Sequence, residues 1–209
     1  MMIRRLLLTT LAVSSLAALA ATPLGAQLAS SSPTFGGGRM TVEGFYTQYQ
    51  LDNRSGDDRL NVDGLGGRVM WRLAPAIADE PWAFTSRLAS RAAVGAFAVY
   101  TPEQDLGFKT WHVGTQADLR LLSAPVFGRL DPLVSLGAGA LRTNVRGTPA
   151  GDAAIVERTN TSFALTPAIG ARLAILPRAG LRADVQDLMA FRGGVTHNPT
   201  LSAGLSVSF

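Results

Sequence analysis

The 209-residue chain contains no cysteine, and its one lysine, Lys109, stands against eighteen arginines (19 − 1 = 18). Without cysteine no disulfide and no thiolate metal site can form, so stability must come from packing and hydrogen bonding. Long apolar runs are also missing. After residue 26, no uninterrupted apolar stretch reaches the roughly 18 residues of a transmembrane helix. The sequence therefore excludes a disulfide-stabilised scaffold and a helical membrane protein.

Residues 1–26 have the composition of a cleaved secretion signal. Arg4 and Arg5 form a basic start, the apolar core LLLTTLAVSSLAALAA follows, and small residues come next. We predict cleavage after Ala26; a cut after Ala20 is the alternative and fits the A-x-A rule better. The core is too short and too weakly apolar for a membrane anchor. The mature protein is therefore expected to be exported.

Residues 27–38, QLASSSPTFGGG, are predicted to be a flexible leader because serine and glycine dominate and no periodicity is present. Without Arg4 and Arg5 the formal charge falls from +4 to 17 − 15 = +2. The isoelectric point of about 10.3 would fit a nucleic-acid-binding protein. An exported chain with charges of both signs gives no support to nucleic-acid binding, however, and we predict none.

From residue 39 onward the chain repeats a pattern of strands and turns. In 108–122, for example, Trp111 and Val113 fall on one parity, and His112 and Asp118 fall on the other. This alternation is typical of a strand with one apolar and one polar face, and no segment shows a sustained helical stripe. The eight predicted strands are 39–51, 59–73, 84–100, 108–122, 129–143, 159–175, 179–190 and 199–209.

Most of these strands exceed ten residues, whereas strands of soluble proteins have about five or six. A strand tilted by about 45° crosses a bilayer in roughly 9–11 residues, and lipid cannot satisfy an open sheet edge. We therefore predict an all-β fold, an eight-stranded antiparallel up-and-down transmembrane β-barrel over residues 39–209. The parity of 39–51 stays open, and 59–73 is predicted to change phase at a bulge near Gly66 and Gly67.

Aromatic residues lie at both ends of the predicted barrel, where interfacial girdles are expected. The residues that we assign to these girdles are Trp71, Trp82, Tyr100 and Trp111; ordinary core packing is the alternative. With the amino terminus in the periplasm, the strands alternate in direction. The predicted outer loops are then 52–58, 101–107, 144–158 and 191–198, and the predicted periplasmic turns are 74–83, 123–128 and 176–178.

Three stretches resemble the small eight-stranded outer-membrane barrels of the OmpA/OmpX type. They are the strand DPLVSLGAGALR, the hairpin FALTPAIGARLAILPRAGLRADV and the final LSAGLSVSF. The resemblance covers about residues 39–209 and implies an outer-membrane location. It also implies that Leu205, Val207 and Phe209 form the signal that the barrel-assembly machinery reads. We expect a monomer.

Charged side chains on the polar parity are predicted to fill the lumen. An eight-stranded barrel is only wide enough for side chains, and buried charges must be paired. The predicted lumen network is Arg68, Arg72, Arg87, Arg91, His112, Gln116, Asp118, Arg120, Arg172, Arg182 and Asp184. Arg142 is placed on the same inward parity, and Glu43 adds a carboxylate if its strand faces inward. A charged conduit is the alternative to a packed network.

The sequence predicts no catalytic site, no metal site and no cofactor. His112 and Asp118 lie roughly 20 Å apart along a strand, too far for a direct hydrogen bond. The acidic stretch 52–59 lacks the ligand spacing of a calcium loop.

Arginines near the outer rim, with Lys109, are expected to bind lipopolysaccharide phosphates. The predicted function is a structural or surface-interaction role. The alternatives are a lipid-modifying hydrolase, which would need a serine near His112 or His197, and a soluble periplasmic ligand-binding barrel.

Overall fold

The computed structural model of the protein describes residues 39–51, 60–73, 89–102, 108–147 and 156–209. These residues form eight strands. The strands are β1 (Met40–Leu51), β2 (Leu60–Arg72), β3 (Ala92–Thr101), β4 (Phe108–Arg120), β5 (Leu130–Gly147), β6 (Val156–Leu176), β7 (Ala179–Phe191) and β8 (Val195–Ser208). Within the described residues, no helix has the length and hydropathy needed to cross a membrane.

The strands form a closed barrel in which every strand pairs with its neighbours in sequence and β8 pairs with β1. All eight pairings are antiparallel. Thr41 faces Ser208 across the closing pair, and Phe209 NH donates to the Met40 carbonyl oxygen at 2.8 Å. The sheet therefore has no free edge, and the predicted fold class is confirmed.

Side chains alternate between the lumen and the outer face along each strand. In β1, for example, Glu43 and Thr47 are buried in the lumen, whereas Tyr46 and Gln48 are exposed on the outside. We call the end of the barrel where β1 joins β2 the loop end, and the opposite end, where Met40 and Phe209 lie, the turn end. The parity of β1 is thereby settled, and Glu43 faces inward.

The predicted bulge in β2 is wrong. The register between β1 and β2 runs without interruption from Met40 opposite Trp71 to Leu51 opposite Leu60. The sequence suggested a change of phase because the outward Asp63 is polar and lies beside an apolar, inward Val62. The register shifts instead between β6 and β7, at Ala174 and Leu176.

Four strand ends differ clearly from the prediction. β3 begins at Ala92, because Ser90 and Arg91 already form a turn. β5 ends only at Gly147, and β6 already begins at Val156. The predicted loop 144–158 is therefore shorter than expected. β8 begins at Val195, because Gly193 and Gly194 adopt positive φ and close a tight turn immediately after β7.

Several predictions lie outside the described residues. They are the signal peptide 1–26, the leader 27–38, the loop 52–58, the turn 74–83, Trp82 and Arg87.

Candidate functional site

The turn-end half of the lumen contains a cluster of buried charges centred on Arg182. This side chain is only 2% exposed. Its Nε donates to Asp184 Oδ2 at 2.9 Å, its Nη1 pairs with Asp118, and its Nη2 donates to Ser135 Oγ at 2.9 Å. One guanidinium from β7 thus joins β4 and β5 through charge-assisted hydrogen bonds.

Arg68 on β2 extends the cluster across the barrel. Its Nε lies 2.7 Å from Glu43 Oε2, and its Nη2 donates to Asp184 Oδ2 at 2.8 Å. Glu43 also pairs with Arg172 on β6. Gln116 donates to Asp118 Oδ1 at 2.7 Å and so supports the carboxylate from its own strand.

We call this cluster the ion network. Its members are Glu43, Arg68, Asp118, Arg172, Arg182 and Asp184. Three guanidiniums and three carboxylates give a formal charge of 3 − 3 = 0. Buried charges are tolerated when each is paired and hydrogen-bonded, and removal of one partner leaves an uncompensated charge. The network therefore links β1, β2, β4, β6 and β7 through ion pairs inside this half of the lumen.

A second group of arginines lies nearer the turn end. Arg120 Nε is 3.4 Å from Asp131 Oδ1. Arg91 folds over the end of the sheet, where its Nε and Nη2 donate to the Arg120 carbonyl oxygen at 2.9 and 2.7 Å. Arg72 lies close enough to Arg120 and Arg172 to be repelled by both. The arginines of this half thus lie either in the ion network or at its turn-end border.

The loop-end half of the lumen is apolar. Its buried cluster, which we call the apolar layer, consists of Phe45, Tyr49, Val62, Phe97, Val99, Leu141, Ala164, Leu188 and Ala190. Arg68 connects the two halves, because its guanidinium carbon lies 4.5 Å from the centre of the Phe45 ring. Such a contact between a cation and an aromatic face is attractive. The two halves of the lumen thus differ in chemistry.

Inward glycines make room for this filling. A Cβ on Gly66 would lie 2.4 Å from Phe45 Cζ, and a Cβ on Gly204 would lie 2.5 Å from Phe45 Cβ. A Cβ on Gly170 would lie 2.2 Å from Asp184 Oδ1, and one on Gly137 would lie 2.2 Å from Thr166 Oγ1. These glycines therefore accommodate an aromatic ring, a carboxylate and a hydroxyl inside a narrow barrel.

The two histidines occupy different environments. His112 is buried in the lumen and packs its ring against Phe97, with centroids 4.7 Å apart. His197 is exposed on the outer face, and its Nδ1 lies 2.6 Å from Asp187 Oδ2. His197 sits opposite Met189 in the β7–β8 ladder. Within the described residues no serine contacts either histidine, and no group of three acidic or histidine side chains could hold a metal ion.

The outer face carries the exposed apolar side chains. Ile169, Val185 and Leu201 are 61%, 59% and 54% exposed. Tyr100 and Trp111 are stacked near the loop end, with centroids 4.4 Å apart, while Trp71 lies at the turn end. A belt of large apolar side chains with rings at its borders has the composition of a lipid-facing surface.

The structure places the predicted site residues in four positions. Five of the predicted lumen residues belong to the ion network, and Gln116 contacts it. Arg72, Arg91 and Arg120 lie at the turn end, and His112 packs in the apolar layer rather than among the charges. Leu205 and Phe209 are exposed on the outer face of the last strand.

The assignment of Arg142 to the lumen is wrong. Arg142 lies opposite Trp111 on the outer face of β5, because it shares the parity of Leu136 rather than that of Ser135. Sequence reasoning missed Asp131, which lies at the start of β5. It also missed Phe45 and Tyr49, which are large aromatic residues on a strand with mixed polarity on both faces.

Comparison with known proteins supports the fold. No protein-family model matches the chain, and no curated protein matches it. The chain is similar to the crystal structure of Neisserial surface protein A, with 17% identity and a TM-score of 0.55 over 81% of this chain and 97% of that chain. It is also similar to the N-terminal β-barrel domain of Pseudomonas aeruginosa OprF, with 13% identity and a TM-score of 0.51 over 81% and 96%. The chain thus has the fold of the small outer-membrane β-barrels.

Proposed function

We propose that the protein is an integral outer-membrane β-barrel with a structural or surface-interaction role and no general porin activity. The observation that carries the proposal is the combination of an exposed apolar outer face with a lumen that contains the ion network and the apolar layer. Exposed apolar residues such as Ile169 and Leu201 would be costly in water over so large a surface. A soluble periplasmic ligand-binding barrel is therefore disfavoured.

The filled lumen supports a role that does not depend on transport. The ion network and the apolar layer both lie in the lumen, and the formal charges of the ion network cancel. A cavity beside His112 measures about 20 Å³, which is room for about one water molecule. A continuous aqueous path would need a much larger opening than this, so we expect solutes to be excluded.

Partners are proposed from the chemistry of the outer face. Lipid contacts the apolar belt, and lipopolysaccharide phosphates contact basic residues at the loop end. Lys109 and Arg192 support this, since Lys109 Nζ lies 5.5 Å from the centre of the Tyr100 ring and Arg192 is exposed. The barrel-assembly machinery is proposed to bind the outward residues of β8. Through these contacts the barrel would act as a structural or surface-interaction protein of the cell envelope and not as an enzyme.

A lipid-modifying hydrolase receives little support. Asp187 and His197 form an acid–histidine pair on the outer face. Such a pair supplies two of the three members of a catalytic triad, and the nucleophile is the third. The outward neighbours of the pair along its own strands are Val185, Met189, Val195 and Pro199, none of which supplies a nucleophile. We therefore propose that the pair is structural.

Separation of cell membranes tests the proposal. We expect the protein to sediment with the outer membrane on a density gradient and to stay in the pellet after extraction with urea. Folded protein in dodecyl sulfate should also migrate faster before boiling than after it, because a closed barrel resists the detergent. Recovery in the soluble periplasmic fraction would contradict the proposal, and so would equal mobility of the boiled and unboiled protein.

A further inference from the structure

A small cavity lies in the lumen where the ion network meets the apolar layer. It measures about 20 Å³, and all of the residues that line it belong to the described strands. Arg68 of the ion network lines it together with Phe45 and Phe97 of the apolar layer. The other lining residues are Tyr49, Val99, His112, Gln116, Thr166 and Gln186. Polar and apolar side chains thus surround one volume of molecular size.

His112 lines this cavity with an imidazole that lacks a hydrogen-bond partner on one nitrogen. The residue is 3% exposed, and within the described part of the chain no group hydrogen-bonds to its Nε2. Its contact with Phe97 is between ring edges and faces, and it satisfies neither nitrogen. Nearly all buried polar groups of folded proteins have a partner in the protein or in an ordered water molecule. The His112 nitrogen therefore calls for a partner that the neighbouring side chains do not supply.

Two glutamines add polar groups to the wall of the cavity. Gln116 donates through Nε2 to Asp118 Oδ1 at 2.7 Å, and its Oε1 lies 3.4 Å from Arg68 Nη1, which is long for a hydrogen bond. Gln186 donates through Nε2 to Ser202 Oγ at 2.8 Å. The amide nitrogen of each glutamine is thus engaged, and each side-chain oxygen keeps a lone pair that can accept from a further donor.

The surroundings of the cavity favour a neutral occupant. Arg68 is already paired with Glu43 and Asp184, at 2.7 and 2.8 Å, so its guanidinium does not call for an additional anion. None of the residues that line the cavity carries a carboxylate, so a cation would meet a guanidinium and no acidic ligand. The volume fits about one water molecule, and buried water typically makes about three hydrogen bonds.

We propose that the cavity is a binding site for one long-lived water molecule, held by His112, Gln116 and Gln186. The Nε2–H tautomer of His112 donates to the water oxygen, and the water donates its two protons to the side-chain oxygens of the two glutamines. This arrangement satisfies the imidazole and connects β4 with β7 across the lumen. The site goes beyond the proposed role of the protein in the envelope, because it concerns only the interior of the barrel.

The test is an NMR measurement of Overhauser transfer between water and methyl groups in the refolded protein in detergent micelles. The protein is deuterated except at the valine methyl groups, so that Val99 reports on protons in the cavity. We expect a cross-peak between Val99 and water whose sign is opposite in the laboratory-frame and rotating-frame experiments, as a bound water requires. His112→Phe should abolish this cross-peak, because an apolar ring replaces the donor.

Hydroxyl protons that exchange with water could give the same cross-peak, and the hydroxyls in the wall belong to Tyr49 and Thr166. The variant Tyr49→Phe/Thr166→Val removes both and is the matched control, in which the cross-peak should persist. Gln186→Met keeps the imidazole and removes one acceptor, so it should weaken the cross-peak severalfold.

Heat-modifiable mobility in dodecyl sulfate establishes that each variant is folded. If His112→Phe fails to fold, Gln186→Met decides. Absence of the cross-peak in the folded wild type would overturn the proposal, and so would its loss in the variant without hydroxyls. Undiminished intensity in folded His112→Phe or Gln186→Met would also contradict it.

Discussion

Gly66 and Gly67 are adjacent in β2, but a methyl group would meet different surroundings at each. On Gly66 it would point into the lumen, 2.4 Å from the ring of Phe45. On Gly67 it would point outward, and the nearest atom would be the Glu43 carbonyl oxygen at 3.5 Å, an ordinary contact. The pair therefore compares the packing of the lumen with that of the outer face within one strand.

We predict that Gly66→Ala lowers the free energy of unfolding by about 1–3 kcal/mol, because the Phe45 ring must move within a packed layer. Gly67→Ala should be neutral or slightly stabilising, because it restricts the unfolded chain without a clash. Urea unfolding in lipid vesicles, followed by tryptophan fluorescence, measures both. Equal midpoints for the two variants would show that Phe45 is not tightly packed.

At the scale of single residues, the sequence predicts which side chains face the lumen. It predicts their contact partners less well. Alternation places Asp118, Arg182 and Asp184 on the lumen side, but it contains no information on which carboxylate meets which guanidinium. Those pairs depend on the stagger between strands that are far apart in sequence. The sequence could not predict on which face of β1 Glu43 lies. Gln48 is polar and faces outward, and Phe45 is apolar and faces inward, which is the reverse of the usual pattern.

Among the strands, β6 shows the outer face most clearly. Its outward residues are apolar from Phe163 to Ile175, and Ile169 lies midway between them. Thr159 also faces outward, three residues from the loop end of the strand, and is exposed. These two positions sample the middle and the border of the proposed lipid-facing belt.

We predict that Ile169→Arg destabilises the protein in lipid vesicles by about 2–4 kcal/mol, the cost of an arginine at the bilayer midplane. Thr159→Arg should cost only about 0–1 kcal/mol, because the side chain reaches the interface. Urea titration of the refolded variants gives both values. If Ile169→Arg were as well tolerated as Thr159→Arg, the outer face would not lie in lipid.

The closing strand β8 carries a separate prediction. Phe209 is 61% exposed on the outer face and continues the apolar series of Leu205 and Val207. We predict that Phe209→Ser reduces the amount of protein in the outer membrane of cells, while its refolding in detergent stays close to that of the wild type. Phe163→Ser, at another outward ring that is 54% exposed, is the control and should have a smaller effect. Equal amounts of all three proteins in the membrane would remove the proposed recognition role.

At the element scale, the number of strands and the phase of most strands follow from the sequence, whereas the phase of β1 and several strand ends do not. Alternation continues in the residues flanking β3, so the prediction extended that strand toward residue 84. The tight turn at Gly193 and Gly194 lets pairing continue to Phe191 and Val195, which shortens a predicted loop. Beyond the apolar belt the outer face of the barrel carries polar residues such as Asp63. In the sequence these residues give the same pattern as a change of strand phase.

At the scale of the whole molecule, closure and filling act together. β8 pairs with β1 to remove the free edges, and a barrel of eight strands has a lumen that side chains can occupy. The ion network joins opposite walls in the turn-end half, and the apolar layer lies in the loop-end half. Interiors packed in this way resist deformation, so we expect a rigid barrel without an aqueous path.

Planar-bilayer recording on the refolded protein is the measurement that tests this account most directly. The neutral ion network and the apolar layer predict no general porin activity, with at most small and irregular current steps. The arginines of the lumen would favour anions if such a path existed. Large, steady, anion-selective steps would contradict the filled lumen, whereas a silent bilayer containing folded protein is the predicted result.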